Sequence, residues 1–574
     1  MRTTETDVLV VGAGPTGLTL ACELRRRGID CRVIDRAAEF HHRSRGKGLQ
    51  PRSLEVFDDL GIVESALQLG RRDNRLRLYV GGRLTVDVHV PARPPRPGVP
   101  YPDLLIIPQW STEQVLRDRL QELGGGVELG RRLSGLDQDD GGVTATLTVG
   151  ADPGTAERVQ ARYVVACDGG HSAVRSLVGL RMEGTSRIQR FVLGDVRIEG
   201  LEPGVSYAWF DGAHYLAADP LSGTGIWQVQ ASAPVGADGS VEPASLELFQ
   251  RLFAERGLPG VRLHDATWLS DFSPRVAMVD RYRVGRVLVA GDAAHVHSPA
   301  GGQGMNTGIQ DAYNLGWKLA LALADAAPDR LLDTYQDERL PVARSVLEGS
   351  DTGHSAVFSP HPVMRVVREK VLAPLLRLGA VQRAILDRAA ELGVGYRSSS
   401  LSVDQAPSPF VRSRVDGDRA VGLLHRLRFS RGPHAGDRAP DARGSNSLGG
   451  PVRLFDHFRG PHWSLLLFAG TTAGSDDHVR LAGIAGRVEA ALGTAVRSCV
   501  LLPAGSPPAD PADVPTFLDL DGEAHRLYGA GGGGAYLVRP DGHIGYRGQP
   551  AEERALLAYL DTVVGGPRTA SVSR

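Results

Sequence analysis

The sequence lacks several things whose presence would narrow its chemistry at once. Lysine is almost missing: Lys47, Lys318 and Lys370 are the only three among 65 basic residues. Against 66 acidic residues the formal charge is −1. That balance excludes the positive excess that binders of nucleic acid or anionic membranes need. There are only four cysteines, Cys22, Cys31, Cys167 and Cys499, and no C-x-x-C pair. Neither a disulfide framework nor a zinc site follows, so no metal is expected and a reducing, cytoplasmic setting fits. No apolar run reaches the roughly 18 residues of a membrane span. The run Val8 to Leu20 is preceded by Glu5 and Asp7 and broken by glycines, which excludes a secretory signal.

Glycine, by contrast, is plentiful, at 71 of 574 residues. Gly, Arg, Ala and Pro share GC-rich codons, so a motif built from glycine counts here only through its setting. Hydrophobic content of 42% and charged content of 23% are those of an ordinary globular protein. The length leaves room for a large core and several domains.

The setting is informative at the start. Asp7-Val-Leu-Val-Val11 reads as a buried strand, Gly12, Gly14 and Gly17 follow, and a helical run leads to a second strand, Cys31–Asp35. In such a β-α-β unit the first glycine permits the tight turn. The second admits a pyrophosphate, and the third lets helix pack on strand. The phosphates then lie at the helix N-terminus, and Asp35 is placed for a ribose hydroxyl. Two more apolar strands end in an acid: Tyr163–Asp168-Gly169, and Arg286–Gly291-Asp292 continuing through Pro299 and Gly302 to Gly304-Met305-Asn306. Carboxyl ends of strands are where open α/β sheets bind ligands. A long helix over about 304–325 follows, with Ile309, Ala312, Leu315, Leu319 and Leu323 at helical spacing. More helix is expected over 331–349 and 361–393. Residues 183–275 read mostly as strand, with a hairpin at Asp211-Gly212. Residues 396–435 read as a linker, and 436–574 as a compact α/β unit.

Together these segments resemble the class A flavin-dependent aromatic hydroxylases, the single-component FAD monooxygenases. The likeness spans roughly residues 5–345 and includes Leu332–Arg339. Residues 436–574 resemble the thioredoxin-like domain of the hydroxylases that act on polycyclic polyketides and substituted phenols. Where a redox thioredoxin carries C-x-x-C, this chain reads Gly470-Thr-Thr-Ala, which implies a structural or oligomeric role.

The resemblance implies an α/β fold: a Rossmann-like FAD-binding domain (1–182 and 276–395, with an excursion at 74–102), an interleaved β-sheet substrate domain (183–275), and the C-terminal thioredoxin-like domain. It implies FAD, NADPH or NADH as cosubstrate, and O2. The cofactor-binding residues would be Gly12, Gly14, Pro15, Gly17, Asp35, Arg36, Arg45, Gln109, Asp168, Gly291, Asp292, Pro299, Gly302, Gly304, Met305 and Asn306. The start of the 304 helix would stabilise negative charge on reduced flavin. The expected activity is hydroxylation of a phenolic or quinonoid polycyclic polyketide through a flavin C4a-hydroperoxide. Hydroxylation of a simple phenol, or a Baeyer–Villiger or rearranging variant, stays open beside it. A flavin-bound regulatory module is the reading from another class. Tyr215, Trp227 and His214 are candidates for the substrate wall, Tyr215 as a phenol partner; the catalytic base is unassigned. The partner is an aromatic small molecule, with no nucleic acid or membrane and with a homodimer as the possible assembly.

Overall fold

The computed structural model describes residues 2–564 apart from 151–154, 187–189, 212–213, 236–239, 274, 298–301, 325, 359–374, 376–377, 406–418, 473 and 507–513. Pro299, and residues 361–374 and 376–377 of the helix expected over 361–393, lie outside the described residues. The helix Gly379–Ala389 lies within them.

The first sheet is built on parallel strands. Arg2–Val11 runs between Cys31–Ile34 and Ala156–Ala166, and Val287–Val289 lies parallel beyond Ala156–Ala166. The carboxyl-terminal halves of the two long strands, Val8–Val11 and Tyr163–Ala166, are apolar runs because helices cover the sheet there. The helices Pro15–Arg25 and Gly304–Leu323 pack against each other on it. The carboxyl ends of three adjacent parallel strands therefore bring Gly12, Asp168 and Gly291 side by side.

The second sheet has seven strands, in the order Arg262–Phe272, Phe191–Glu199, Trp227–Ser232, His214–Pro220, Val205–Asp211, Asn74–Val80 and Arg83–Val90. Its faces differ, as strand alternation requires. Tyr207, Trp209, Leu216, Ala218, Trp227 and Val229 form a core with Leu248, Phe249 and Phe253 of the helix Leu246–Arg256. The opposite face carries Asp195, Ala217, Asp219, Gln228 and Gln230, paired across strands.

A third, eight-stranded sheet closes the C-terminal part. Trp463–Phe468, Val496–Pro503 and Thr516–Asp519 are parallel, and Gly534–Val538 and Ile544–Gly548 complete its centre antiparallel. The segment read as a linker contributes an edge strand: Val403–Gln405 pairs with Tyr546–Gly548. Short polar sequence conceals such a strand, because backbone pairing and not apolar patterning holds an edge. Among the described residues no helix is long and apolar enough to cross a membrane, and no group of three metal-ligating side chains occurs.

Candidate active site

Gly12 has a φ of 108°, and a Cβ there would stand 2.3 Å from the Cys167 carbonyl oxygen. A Cβ at Gly17 would stand 2.0 Å from the carbonyl oxygen of Gly12. Both positions therefore require glycine. Gly14 instead faces open space, with nothing within 4 Å of an added Cβ. Pro15 opens the helix, and Gly14 offers no side-chain cap. The result is an uncapped helix N-terminus facing a vacant volume, a cradle that suits a diphosphate. Asp35 flanks it. Its Oδ2 accepts from the Ala13 amide at 2.9 Å and its Oδ1 from the Ala37 amide at 2.8 Å, so the acid also shapes the turn. Arg36 beside it is exposed.

Asp168 is fixed by its Oδ2, which accepts from the amides of Ala173 at 2.7 Å and Val174 at 3.3 Å. Its Oδ1 is buried without a partner. Arg175 donates to the carbonyls of Gly170 and Ala293, which ties this segment to the turn of Gly291 and Asp292.

Asp292 sits in a recess. Its side chain is open to solvent, yet surrounding protein pushes its carboxyl above the ordinary range, against the pull of His295 and Arg45. Arg45 is exposed nearby. Gly302 turns the chain with a φ of 60°, and the helix then begins at Gly304. A Cβ at Gly304 would lie 4.0 Å from Asp292 Oδ1 and 3.7 Å from the His297 ring.

Two expected flavin contacts have their side-chain groups occupied by protein. Asn306 Oδ1 accepts from the Gln50 amide at 2.8 Å, and its Nδ2 donates to the carbonyls of Gly48 and Gly302. Gln109 Oε1 accepts from the Gly46 amide at 2.9 Å, and its Nε2 donates to Glu113 at 2.8 Å. Met305 packs at Gly46 as well. These three residues hold the 44–50 segment against the helix start. Burial pushes the Glu113 carboxyl up to about 7.

The seven-stranded sheet meets that same segment. Asp195 Oδ2 accepts from the Ser44 amide at 3.1 Å, and Gln228 donates to the Ser44 carbonyl. Lys47 pairs with Asp219. So the face with Asp195, Ala217 and Gln228 looks toward the cofactor side. Tyr215 belongs to it, packed against Phe210 at 5.1 Å and Phe191 at 6.5 Å. Burial pushes the Tyr215 phenol well up, so it stays protonated. Trp227 is corrected: it lies in the core under the helix Leu246–Arg256, on the opposite face. His214 is exposed at the start of its strand, while Asp219 near the other end meets Lys47. Five residues of strand separate them by about 16 Å, which takes His214 away from the recess.

Sequence reasoning missed Asp195, Gln228, Lys47 and Asp219. One signal was present: an aspartate inside the apolar run Phe191-Val-Leu-Gly-Asp195-Val. A carboxyl in a buried strand needs a partner, and so marks a junction.

A dinucleotide cradle and a mixed sheet whose near face carries aromatic and small residues are the layout of a flavoprotein oxidoreductase. Residues 5–350 match the FAD binding domain family, and residues 432–567 match the aromatic-ring hydroxylase C-terminal family. A flavin-dependent monooxygenase of Mycobacteroides abscessus is 39% identical over 567 residues, covering 97% of this chain and 100% of the relative. The 6-methylpretetramide 4-monooxygenase of Streptomyces rimosus is 33% identical, covering 97% of this chain and 93% of the relative. The solved ternary complex of aklavinone-11 hydroxylase with FAD and aklavinone aligns with a TM-score of 0.74 at 26% identity, over 98% of this chain and 100% of that one. The chain belongs to the FAD-binding monooxygenases that carry an aromatic-ring hydroxylase C-terminal domain. It is an FAD-dependent enzyme that uses O2 and a reduced nicotinamide donor.

Proposed function

We propose that this enzyme hydroxylates a phenolic or quinonoid polycyclic polyketide. The observation that carries the reading is the face of the seven-stranded sheet turned toward the 44–50 segment. Ala208 and Ala217 are paired at its centre, with Phe191, Phe210 and Tyr215 beside them. Two alanines side by side leave a shallow floor, and aromatic rings at its rim suit a flat, extended, apolar ligand. The full-length likeness to enzymes named for 6-methylpretetramide and aklavinone supports the same class.

Bound FAD supplies the redox chemistry, taking reducing equivalents from the nicotinamide and activating O2. The chain's residues do the rest. Gly12, Gly14, Pro15 and Gly17 present the helix N-terminus to the diphosphate. Asp35, with Arg36 at its side, holds the adenosine ribose, and Arg45 screens negative charge near the diphosphate. Asp292 holds a cofactor hydroxyl, and Asp168 with its unpartnered Oδ1 accepts another. Gly291 and Gly302 shape the turns that lead into the helix start at Gly304, whose N-terminus would stabilise negative charge on reduced flavin. Gln109, Met305 and Asn306 hold the 44–50 segment and act through it. The sheet face excludes water and orients the arene. We place the enzyme in the cytoplasm, because all four cysteines are free and buried.

The test is direct. Purified enzyme should be yellow, and NAD(P)H oxidation should accelerate with a polycyclic phenol or quinone, giving a product heavier by one oxygen on mass spectrometry. Turnover of single-ring phenols alone would overturn the substrate class. Asp292→Ala should release FAD; a variant with full flavin would remove that residue from the site.

A further inference from the structure

Asp311 lies on the helix Gly304–Leu323, is fully buried, and plays no part in the chemistry above. Its two oxygens hold three separate parts of the site. Oδ2 accepts from the backbone amide of Gly291 at 3.0 Å, the residue directly ahead of Asp292. The same oxygen lies 2.6 Å from His295 Nε2. Oδ1 accepts from Arg339 Nε at 2.7 Å. Arg339 in turn donates to the Thr307 carbonyl in the first turns of the helix, and to the Tyr396 hydroxyl.

A further hydrogen bond extends this set. His295 Nδ1 and His297 Nε2 are 2.8 Å apart. Arg339 and His295 hold the Asp311 carboxyl down at about 2, so it is ionised and can only accept. The proton between it and His295 therefore sits on Nε2. His297 Nδ1 is buried without a partner. Burial and the neighbouring His295 hold His297 neutral, at about 3.

We infer that Asp311 is the positioning residue of the cofactor turn: one buried carboxylate fixes the backbone entering Asp292, the His295 ring behind it and Arg339 at the helix start. The inference rests on the reading of Asp292 as a cofactor ligand. Asp311 touches neither substrate nor cofactor. It acts by holding the turn, the short strand His295–Val296 and the helix start in one register.

Two measurements test it. FAD affinity of apoenzyme is read from flavin fluorescence for wild type and Asp311→Asn. The amide keeps the shape but loses the charge and one acceptor, and the expected dissociation constant rises about 10- to 100-fold. An affinity within about threefold of wild type, in a variant with native circular dichroism, overturns the proposal. Removing the charge can leave Arg339 unpaired and the chain unfolded. Asp311→Asn with Arg339→Met then replaces the single variant, on the same thresholds. Independently, nitrogen-15 spectra of histidine-labelled wild-type holoenzyme should show His295 protonated at Nε2. An Nε2 without its proton there overturns the proposal whatever the variants do, and if neither variant folds this proton decides alone. Asp292→Ala runs beside them. If it keeps FAD while Asp311→Asn loses it, the assignment of Asp292 falls and the anchoring of the turn stands. If it loses FAD while Asp311→Asn keeps it, the reverse holds.

Discussion

Glu391 illustrates how single residues set the pH response. The residue is buried, its Oε2 accepts from Gln310, and its Oε1 has no partner. Burial pushes its carboxyl from an ordinary 4.5 up to about 8, against the pull of Arg339 and Gln310. A carboxyl raised in the folded state binds its proton more tightly there than in the unfolded chain. Its stabilising effect is complete below about 4.5 and is lost as pH rises through about 8. Asp195, pushed to about 6, and Asp441, pushed to about 7, act in the same direction. Asp311 acts oppositely, losing stability only as pH falls toward 2. Stability should therefore be greatest on the mildly acidic side of neutral. Glu391→Gln should match wild type near pH 5 and exceed it by roughly 1–3 kcal/mol at pH 9. Denaturant unfolding at pH 5, 7 and 9 measures the difference, and parallel curves for the two proteins would contradict it. None of this was legible in the sequence. Glu391 stands in Arg-Ala-Ala-Glu-Leu, where a glutamate reads as solvated helix surface.

Strands and helices were more legible than their partners. The glycine turn, the three acid-ended strands and the apolar stripe of the 304 helix are local signals, and all are found where the spacing puts them. The same helix also buries Gln310, Asp311, Asn314 and Lys318. Those polar residues look like a solvent face in sequence, because their partners, such as Glu338 and Asp541, are distant in the chain. The seven-stranded sheet shows the limit from another side. Period-two alternation says that Trp227 and Gln228 face opposite ways, but not which face meets the cofactor. Only the contacts of Asp195 and Gln228 with Ser44 decide it. The two faces make opposite forecasts at adjacent positions. Ala217→Phe fills the proposed floor and should raise KM for a polycyclic substrate about tenfold or more, with little change for a single-ring phenol. Ala218→Phe overpacks the core under the helix Leu246–Arg256 and should cost about 1–3 kcal/mol of stability, with no preference between substrates. Steady-state kinetics with both substrate sizes, together with melting curves, separate the two. Equal loss of both substrates in Ala217→Phe would mean that the floor is elsewhere.

At the scale of the molecule, the C-terminal domain is bound to the catalytic body by buried charge. Arg539 pairs with Glu338 at 2.6 and 2.8 Å and with Asp541 at 2.5 Å. Lys318 joins Glu338 at 2.7 Å, and Asp541 also accepts from Asn314 and from the indole of Trp317. Trp317 meets Trp463 edge to face at 5.5 Å, inside an apolar cluster shared by both parts. Arg52 donates to the Asp541 carbonyl, and Arg438 pairs with Glu55. Two carboxylates and two cations are out of water together, so each depends on the others. The C-terminal part carries no C-x-x-C pair, and burial pushes its Cys499 thiol up to about 12. Docked domains with polar, hydrated interfaces melt separately. Here the buried Arg539 of one part holds the buried Glu338 of the other, so the holoenzyme should melt in a single calorimetric transition. Arg539→Met strands Glu338 and Asp541 with only Lys318 between them. It should cost about 3–5 kcal/mol and split the transition, the C-terminal part melting first. Arg480→Met, on an exposed ion pair, should leave the transition where it is. Two resolved transitions in the wild-type protein would show that the buried charges do not join the domains, and would make the C-terminal part a separable module.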